Sequence, residues 1–210
     1  MPKSFAFAAA LAAALIVLLT AVVSGTATPG YSHLSQFISE LGASGSLHEY
    51  PVRFAGFLPA GIVMLVFCWL ARRTLPPSPW TSAAFLGLAI YALGYVVAAF
   101  LPCDPGCRPA HPSAAQAVHN AVGGLGYLVA PASLLVLALR SRSWPASRLL
   151  PIAGFVAAGV ALLGLLSLSP ASPYVGLSQR AIEASVLVWV VMCGWYIRSR
   201  STAGSARSDP

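Results

Sequence analysis

Charge is scarce in this sequence. Only 8% of its 210 residues are Asp, Glu, Lys or Arg, and five of those are acids. A water-soluble domain carries about 25%, so this chain could not cover a water-facing surface, and a soluble globular fold is excluded. Other things are missing too. No basic stripe with interleaved aromatics runs along the chain, which removes nucleic acid as a partner. No G-x-G-x-x-G and no P-loop occurs, so no nucleotide is implied. There is no H-E-x-x-H and no H-x-x-x-H pair of the kind that holds zinc in metallohydrolases, and no G-x-S-x-G frame surrounds a serine.

What is present is apolar. Hydrophobic residues make up 58% of the chain, gathered into six runs near residues 5–23, 54–71, 80–101, 114–139, 149–168 and 181–197. Each is close to the 20 residues that cross a bilayer core. The fold class is therefore all-α: a polytopic membrane protein, a six-transmembrane-helix bundle. The first run is longer than a signal-peptide core of roughly 7–15 residues and reads as an uncleaved helix. Ala6, Ala10 and Ala14 give it a small-residue stripe for close packing. Pro131 is placed to kink the fourth span. Residues 1–198 form one transmembrane domain, and the Ser/Gly-rich stretch 199–210 is expected to be a disordered tail.

Orientation follows from the basic residues. With the N-terminus inside, Lys3, Arg72, Arg73, Arg140, Arg142, Arg148, Arg198, Arg200 and Arg207 are cytoplasmic, leaving only Arg53, Arg108 and Arg180 outside. The positive-inside rule thus predicts a multi-pass protein of the cell (plasma) membrane with both termini cytoplasmic. Glu40, Glu49, Asp104, Glu183 and all four histidines then fall at the outer side. Haem electron transfer across the membrane would need histidines toward both faces, so no haem is expected.

Between the first two spans lies YSHLSQFISELG, residues 31–42. Tyr31, Leu34, Phe37, Ile38 and Leu41 recur at helical spacing opposite Ser32, Gln36, Ser39 and Glu40, between Pro29-Gly30 and Gly42. This pattern predicts a short amphipathic helix on the outer face. Cys103 and Cys107 flank Asp104-Pro105-Gly106, a type II turn signal, and on an oxidising face the two thiols would form a disulfide. A zinc site using Cys103, Cys107 and His111 is the alternative for the thiols, and Asp104, His111 and His119, with Glu40, form a candidate ligand set for a divalent metal. Gln116, His119, Asn120 and Gly123 share one helical face, suited either to interhelical hydrogen bonds or to a proton or metal role for His119. Arg180 and Glu183 stand at i, i+3 where the sixth span begins. They pair with each other, or Arg180 pairs with Glu40 or Asp104. Ser39 beside Glu40 has the order of a nucleophile next to a base.

The runs SHLSQFISELGA (32–43), LPCDPGC (101–107), His119-Asn120 and GLSQR (176–180) resemble the bacterial membrane proteins grouped as domain of unknown function 998, over roughly residues 5–198. The resemblance implies six membrane helices and no established activity, and it singles out Ser39, Glu40, Asp104, His119 and Arg180. Members often carry an aromatic before the Gln/Glu-Arg pair. Ser178 stands there in this chain, which implies a more open pocket if that aromatic closes one. A more distant likeness in layout to membrane hydrolases using Ser, Asp and His lacks their paired histidines, and that chemistry is not carried over.

Three functions fit. One is a binding protein whose outer polar pocket, with Gln36, Asn120, Arg180 and Glu183, holds a lipid or small molecule. Another is an outer-leaflet hydrolase or transferase using Ser39, Glu40, Asp104 and His119, with or without a metal. The third is a small proton-coupled transporter. The bilayer is the one partner required by all three.

Overall fold

The computed structural model describes the backbone of residues 2–205 and the side chains of residues 3–200. Six helices follow the apolar runs: α1 (Pro2–Ala27), α2 (Leu58–Thr74), α3 (Pro79–Phe100), α4 (Ala114–Ser141), α5 (Leu149–Leu166) and α6 (Val175–Ser205). A π-helical segment, Pro51–Phe57, leads directly into α2. All six are long and apolar enough to cross a membrane, and no strand forms among the described residues. Pro51 and Pro79 stand at the first helical position, where a missing N–H costs nothing. Ser113 caps α4 by accepting from the Gln116 N–H at 3.1 Å.

The helices pack in chain order, α1 on α2 through α5 on α6, and α6 closes the ring onto α1 while also touching α2 and α4. Small residues set the spacing. Ala6, Ala10 and Ala13 are buried, and a Cβ on Gly194 of α6 would sit 2.9 Å from the Ala10 methyl. A Cβ on Gly126 of α4 would lie 3.0 Å from the Tyr91 Cα of α3, so glycine lets the two backbones approach this closely without either shifting. It also places Tyr127 beside Tyr91, with ring centroids 6.3 Å apart.

Alternation of the helices gathers residues 28–50, 101–113 and 167–174 at one end of the bundle, here the polar end. The opposite, arginine-rich end is closed by aromatics: Trp144 stacks on Tyr196 at 5.8 Å, and Arg198 lies over Phe7 and Trp195.

Several boundaries differ from the sequence expectation. Helical structure before α2 starts at Pro51, and Arg53, expected in a loop, is buried there. Its Nε donates to the Ala99 carbonyl at 2.7 Å and its guanidinium pairs with Glu49, one turn earlier. α6 starts at Val175 rather than 181, so Glu183 lies two turns inside it. It also continues to Ser205, into the stretch expected as tail, and residues 206–210 lie outside the described residues.

The amphipathic helix is much shorter than expected. Residues 33–36 form a turn and a bend, and only Ile38–Gly42 is helical, as a 3₁₀ turn with Ile38 and Leu41 buried. Side chains replace the helical ladder: Gln36 Oε1 accepts from Ser32 N at 2.8 Å, and Glu40 Oε1 from Phe37 N at 2.9 Å. Such local side-chain bonds compete with the helix for the same backbone groups. Cys103 and Cys107 are joined by a disulfide. The turn it closes is the type II turn expected, with Gly106 at φ 72° and Cys107 N donating to Asp104 O at 2.8 Å.

Candidate functional site: a tyrosine-ringed glutamate under a polar strap

The 28–42 connection crosses the polar end as a strap fastened to the start of α6. A Cβ on Gly176 would come within 2.4 Å of the Gln36 carbonyl oxygen and 2.6 Å of the His33 one, so glycine allows the two backbones to touch. Leu177 N then donates to Leu34 O at 3.0 Å. Arg180 secures the same join. Its Nη1 donates to Gln36 O and Gly176 O, both at 3.0 Å, and its Nη2 to Tyr31 Oη at 2.7 Å and His33 Nδ1 at 2.9 Å. Arg180 therefore pairs with none of Glu183, Glu40 or Asp104, contrary to the spacing argument, because its guanidinium is turned toward the strap's carbonyls. Glu40 stays within the strap, accepting from Gln36 Nε2 at 2.9 Å and facing Arg108 at 3.4 Å.

The environment of His33 has a pH consequence. Burial, and then the Arg180 charge, hold its imidazole below its ordinary value of 6.5. The unfolded chain thus binds that proton more readily than the folded one. The stabilisation is complete above pH 6.5 and is lost as the pH falls below it. A lower melting temperature at pH 5.5 than at pH 7.5 is expected, with the difference reduced in His33→Gln. Thermal unfolding of the detergent-solubilised protein at the two pH values tests this. Tyr31 is raised, chiefly by burial and against the pull of Arg180.

Beneath the strap, a cavity of about 230 Å³ lies between α3, α4 and α6. Its roof carries Phe37, Ile38, Ser39 and Cys107, and Phe57 and Ala98 form one wall. Its rim includes exposed Asn120, Gly124 and Pro170, so it reaches the surface between α4 and the α5–α6 connection. Gly94, Gly123 and Gly124 keep it open: a Cβ on Gly123 or Gly124 would meet nothing within 4 Å.

The floor is Glu183, which is buried. Tyr91 and Tyr95 of α3 both donate their hydroxyls to Oε2, and Tyr127 of α4 donates to Oε1 at 2.6 Å. Gln179, one turn before Glu183, ties floor to strap. Its Nε2 donates to Tyr127 Oη at 2.7 Å, while its Oε1 accepts from Ile38 N at 2.6 Å. Glu183 lies eight residues past Val175, about 12 Å along the helix, so it sits in the half of the membrane nearer the polar end.

The remaining sequence candidates do not converge. Ser39 Oγ lies 3.5 Å from Cys107 Sγ and has no base beside it. The Asp104 carboxylate accepts from Ser113 N at 2.8 Å, a bond that holds it below the usual carboxylate range. His119 Nδ1 faces Leu101 O at 3.1 Å; a carbonyl only accepts, so Nδ1 carries the proton and Nε2 is left as the acceptor. Asn120 Oδ1 accepts from Gln116 Nε2 at 2.7 Å, and Gln116 Oε1 from Asp104 N at 2.8 Å. Asp104, His111 and His119 are not gathered into a ligand set. Among the described residues, no group of three or more His, Cys, Asp or Glu side chains could hold a metal ion. Ser178 turns to α5, with its hydroxyl 3.0 Å from Ser167 Oγ, and so leaves the cavity unlined at that position.

Of the predicted residues, the cavity brings together Ser39, His119, Asn120 and Glu183. Tyr91, Tyr95, Tyr127 and Gln179 were missed. The one signal for them was a Tyr pair at i, i+4 in an otherwise apolar span, which reads equally well as an interfacial anchor.

Neither a curated protein nor a solved structure gives a significant match to the chain. A family described as protein of unknown function (DUF998) matches residues 11–196. The match spans nearly all of the six-helix bundle, strap and cavity included, and the chain belongs to the DUF998 family.

Proposed function

We propose that this protein is a membrane-embedded binding protein that admits a lipid or small amphiphile into the cavity between α3, α4 and α6. The observation that carries the reading is the open space beside Gly123 and Gly124, above a polar floor and between apolar walls. Sites of this kind are mostly apolar with a few placed polar groups. At about 230 Å³ the cavity is smaller than the roughly 300–1,000 Å³ of drug-sized sites. It suits a headgroup or a small polar end, with a chain leaving through the rim by Gly124. The hydrolase reading lacks a comparable observation, since Ser39, Glu40, Asp104 and His119 hold separate partners.

Gly123→Leu directs a side chain toward the cavity from a position where a Cβ meets nothing within 4 Å. Native mass spectrometry of the purified protein is expected to show a bound amphiphile on wild type and its loss from Gly123→Leu, with the helical circular-dichroism signal unchanged. Identical spectra would overturn the reading.

The cell membrane is the compartment we propose, with both termini cytoplasmic and the polar end facing out. Support comes from the arginine-rich opposite end and from the Cys103–Cys107 disulfide, which suits an oxidising side. In intact cells, a membrane-impermeant maleimide should label Leu47→Cys and not Ser143→Cys; the reverse pattern would invert the topology.

A further inference from the structure

The cavity floor carries a buried carboxyl group with no direct ion-pair partner, and Arg180 acts on it only as a nearby charge. Among the described residues the ion pairs are Arg53–Glu49 and Arg108–Glu40, and neither involves Glu183. Arg180, the nearest arginine in sequence, directs its donors to the strap. No Lys or Arg lines the cavity. The other titratable side chains facing it are the three tyrosines, which act as donors, and His119, whose Nδ1–H is held by Leu101 O.

Three phenols donating to one carboxyl group describe an acceptor. A carboxylate offers about four lone-pair positions. Two on Oε2 are taken by Tyr91 and Tyr95 and one on Oε1 by Tyr127, which leaves one Oε1 position unused by these phenols in a residue that lines the cavity. A carboxylate at this depth is expensive unless something pairs with it.

The walls add a second preference. Phe57 and Tyr95 meet edge to face at 5.9 Å, Tyr95 and Tyr91 at 5.8 Å, and Tyr127 continues the cluster at 6.3 Å. Aromatic clusters of this kind favour cations through their ring quadrupoles, quaternary ammonium groups above all. An anionic headgroup would meet a carboxylate and no cation. A neutral one would leave the Glu183 carboxyl group without an ionic partner.

We propose that the polar group admitted to this cavity is a monovalent organic cation, a primary amine or quaternary ammonium, seated against the Glu183 carboxylate and the Tyr91–Tyr95–Tyr127 cluster. The proposal rests on the reading of the cavity as an amphiphile site. The cation belongs either to a lipid headgroup or to a small free amine.

The test uses the full chain in neutral detergent at pH 7.5. Decyltrimethylammonium, decanol, decanoate and tetramethylammonium are titrated against wild type, Glu183→Gln and Gly123→Leu, and affinity is read from the rise in melting temperature. Decyltrimethylammonium is expected to stabilise wild type, with at least tenfold weaker binding to Glu183→Gln. Decanol and decanoate should bind at least tenfold more weakly to wild type. Tetramethylammonium equal to the decyl compound would indicate a free amine as the source, and tighter binding of the decyl compound a headgroup.

Decanol or decanoate binding wild type as tightly as the cation overturns the charge assignment. So does an unchanged cation affinity in Glu183→Gln. If Gly123→Leu then abolishes binding of every amphiphile, the cavity remains the site and only its chemistry is wrong. If no probe distinguishes wild type from Gly123→Leu, the cavity reading fails as well. Should Glu183→Gln not fold, the preference of wild type for the cation over decanol still decides.

Discussion

Arg180→Ala is expected to lower the melting temperature of the detergent-solubilised protein by on the order of 10 °C. The substitution removes donors to two backbone carbonyls, a phenol and an imidazole. Hydrogen bonds from a charged donor contribute about 1.5–3 kcal/mol each, and partly buried acceptors left empty add a desolvation cost. The four bonds share one guanidinium and are not additive, so a total of about 3–4 kcal/mol is reasonable. At about 2–4 °C per kcal/mol for a chain of this size, that gives the shift stated. Arg180→Lys should recover less than half of it, because one ammonium cannot reach both Gln36 O and Tyr31 Oη as the fork does. A drop under about 3 °C in the alanine variant would mean that Gly176 and the Leu177–Leu34 bond hold the strap unaided.

The strap also shows where sequence reasoning reached its limit. Six spans were legible because an uninterrupted apolar run of about 20 residues has few other uses. Their ends were not. Gln179-Arg180 reads as loop, yet helix α6 begins at Val175, because these polar side chains serve the strap instead of water. Residues 31–42 carry a sound helical pattern, but Gln36 and Glu40 supply the backbone with closer partners than the helix would. The Cys103–Cys107 turn was legible, since Pro105 and Gly106 specify its backbone within four residues.

The candidate site was legible only in part, for a geometric reason. Glu183 stands out as an acid near a span, and its i+3 spacing from Arg180 suggests a local pair. Whether the two meet depends on rotamers, and the strap's carbonyls draw the guanidinium away. The three tyrosines that do meet Glu183 come from two other helices. Their convergence depends on helix rotation and on the close α3–α4 contact at Gly126, neither of which is written in local spacing.

Glu183→Ala and Glu183→Gln separate the two things this carboxylate does for the fold. Alanine leaves the Tyr91, Tyr95 and Tyr127 hydroxyls without their acceptor inside a membrane span. In the limit of dry hydrocarbon, each orphan would cost several kcal/mol. Interhelical hydrogen bonds in membrane proteins average nearer 0.6 kcal/mol, because the unfolded chain in the membrane also finds partners. The cavity reaches the surface at Asn120 and Gly124, so water can relieve some of the loss. A destabilisation of about 2–4 kcal/mol for alanine lies between these limits. Glutamine keeps the shape: its Oε1 accepts from two phenols, and its amide can donate to the third if that hydroxyl turns. It also removes the cost of burying an ionisable group with no ion-pair partner, which offsets the weaker bonds, so Glu183→Gln is expected within about 1 kcal/mol of wild type. Unfolding curves in mixed detergent would order the three proteins. If glutamine proves as damaging as alanine, the three phenols need the full charge of the carboxylate and the fold depends on an ionised Glu183. If both variants match wild type, the ring is bridged by water and contributes little to holding α3, α4 and α6 together, leaving that task to Gly126 and the buried apolar core shared by the three helices.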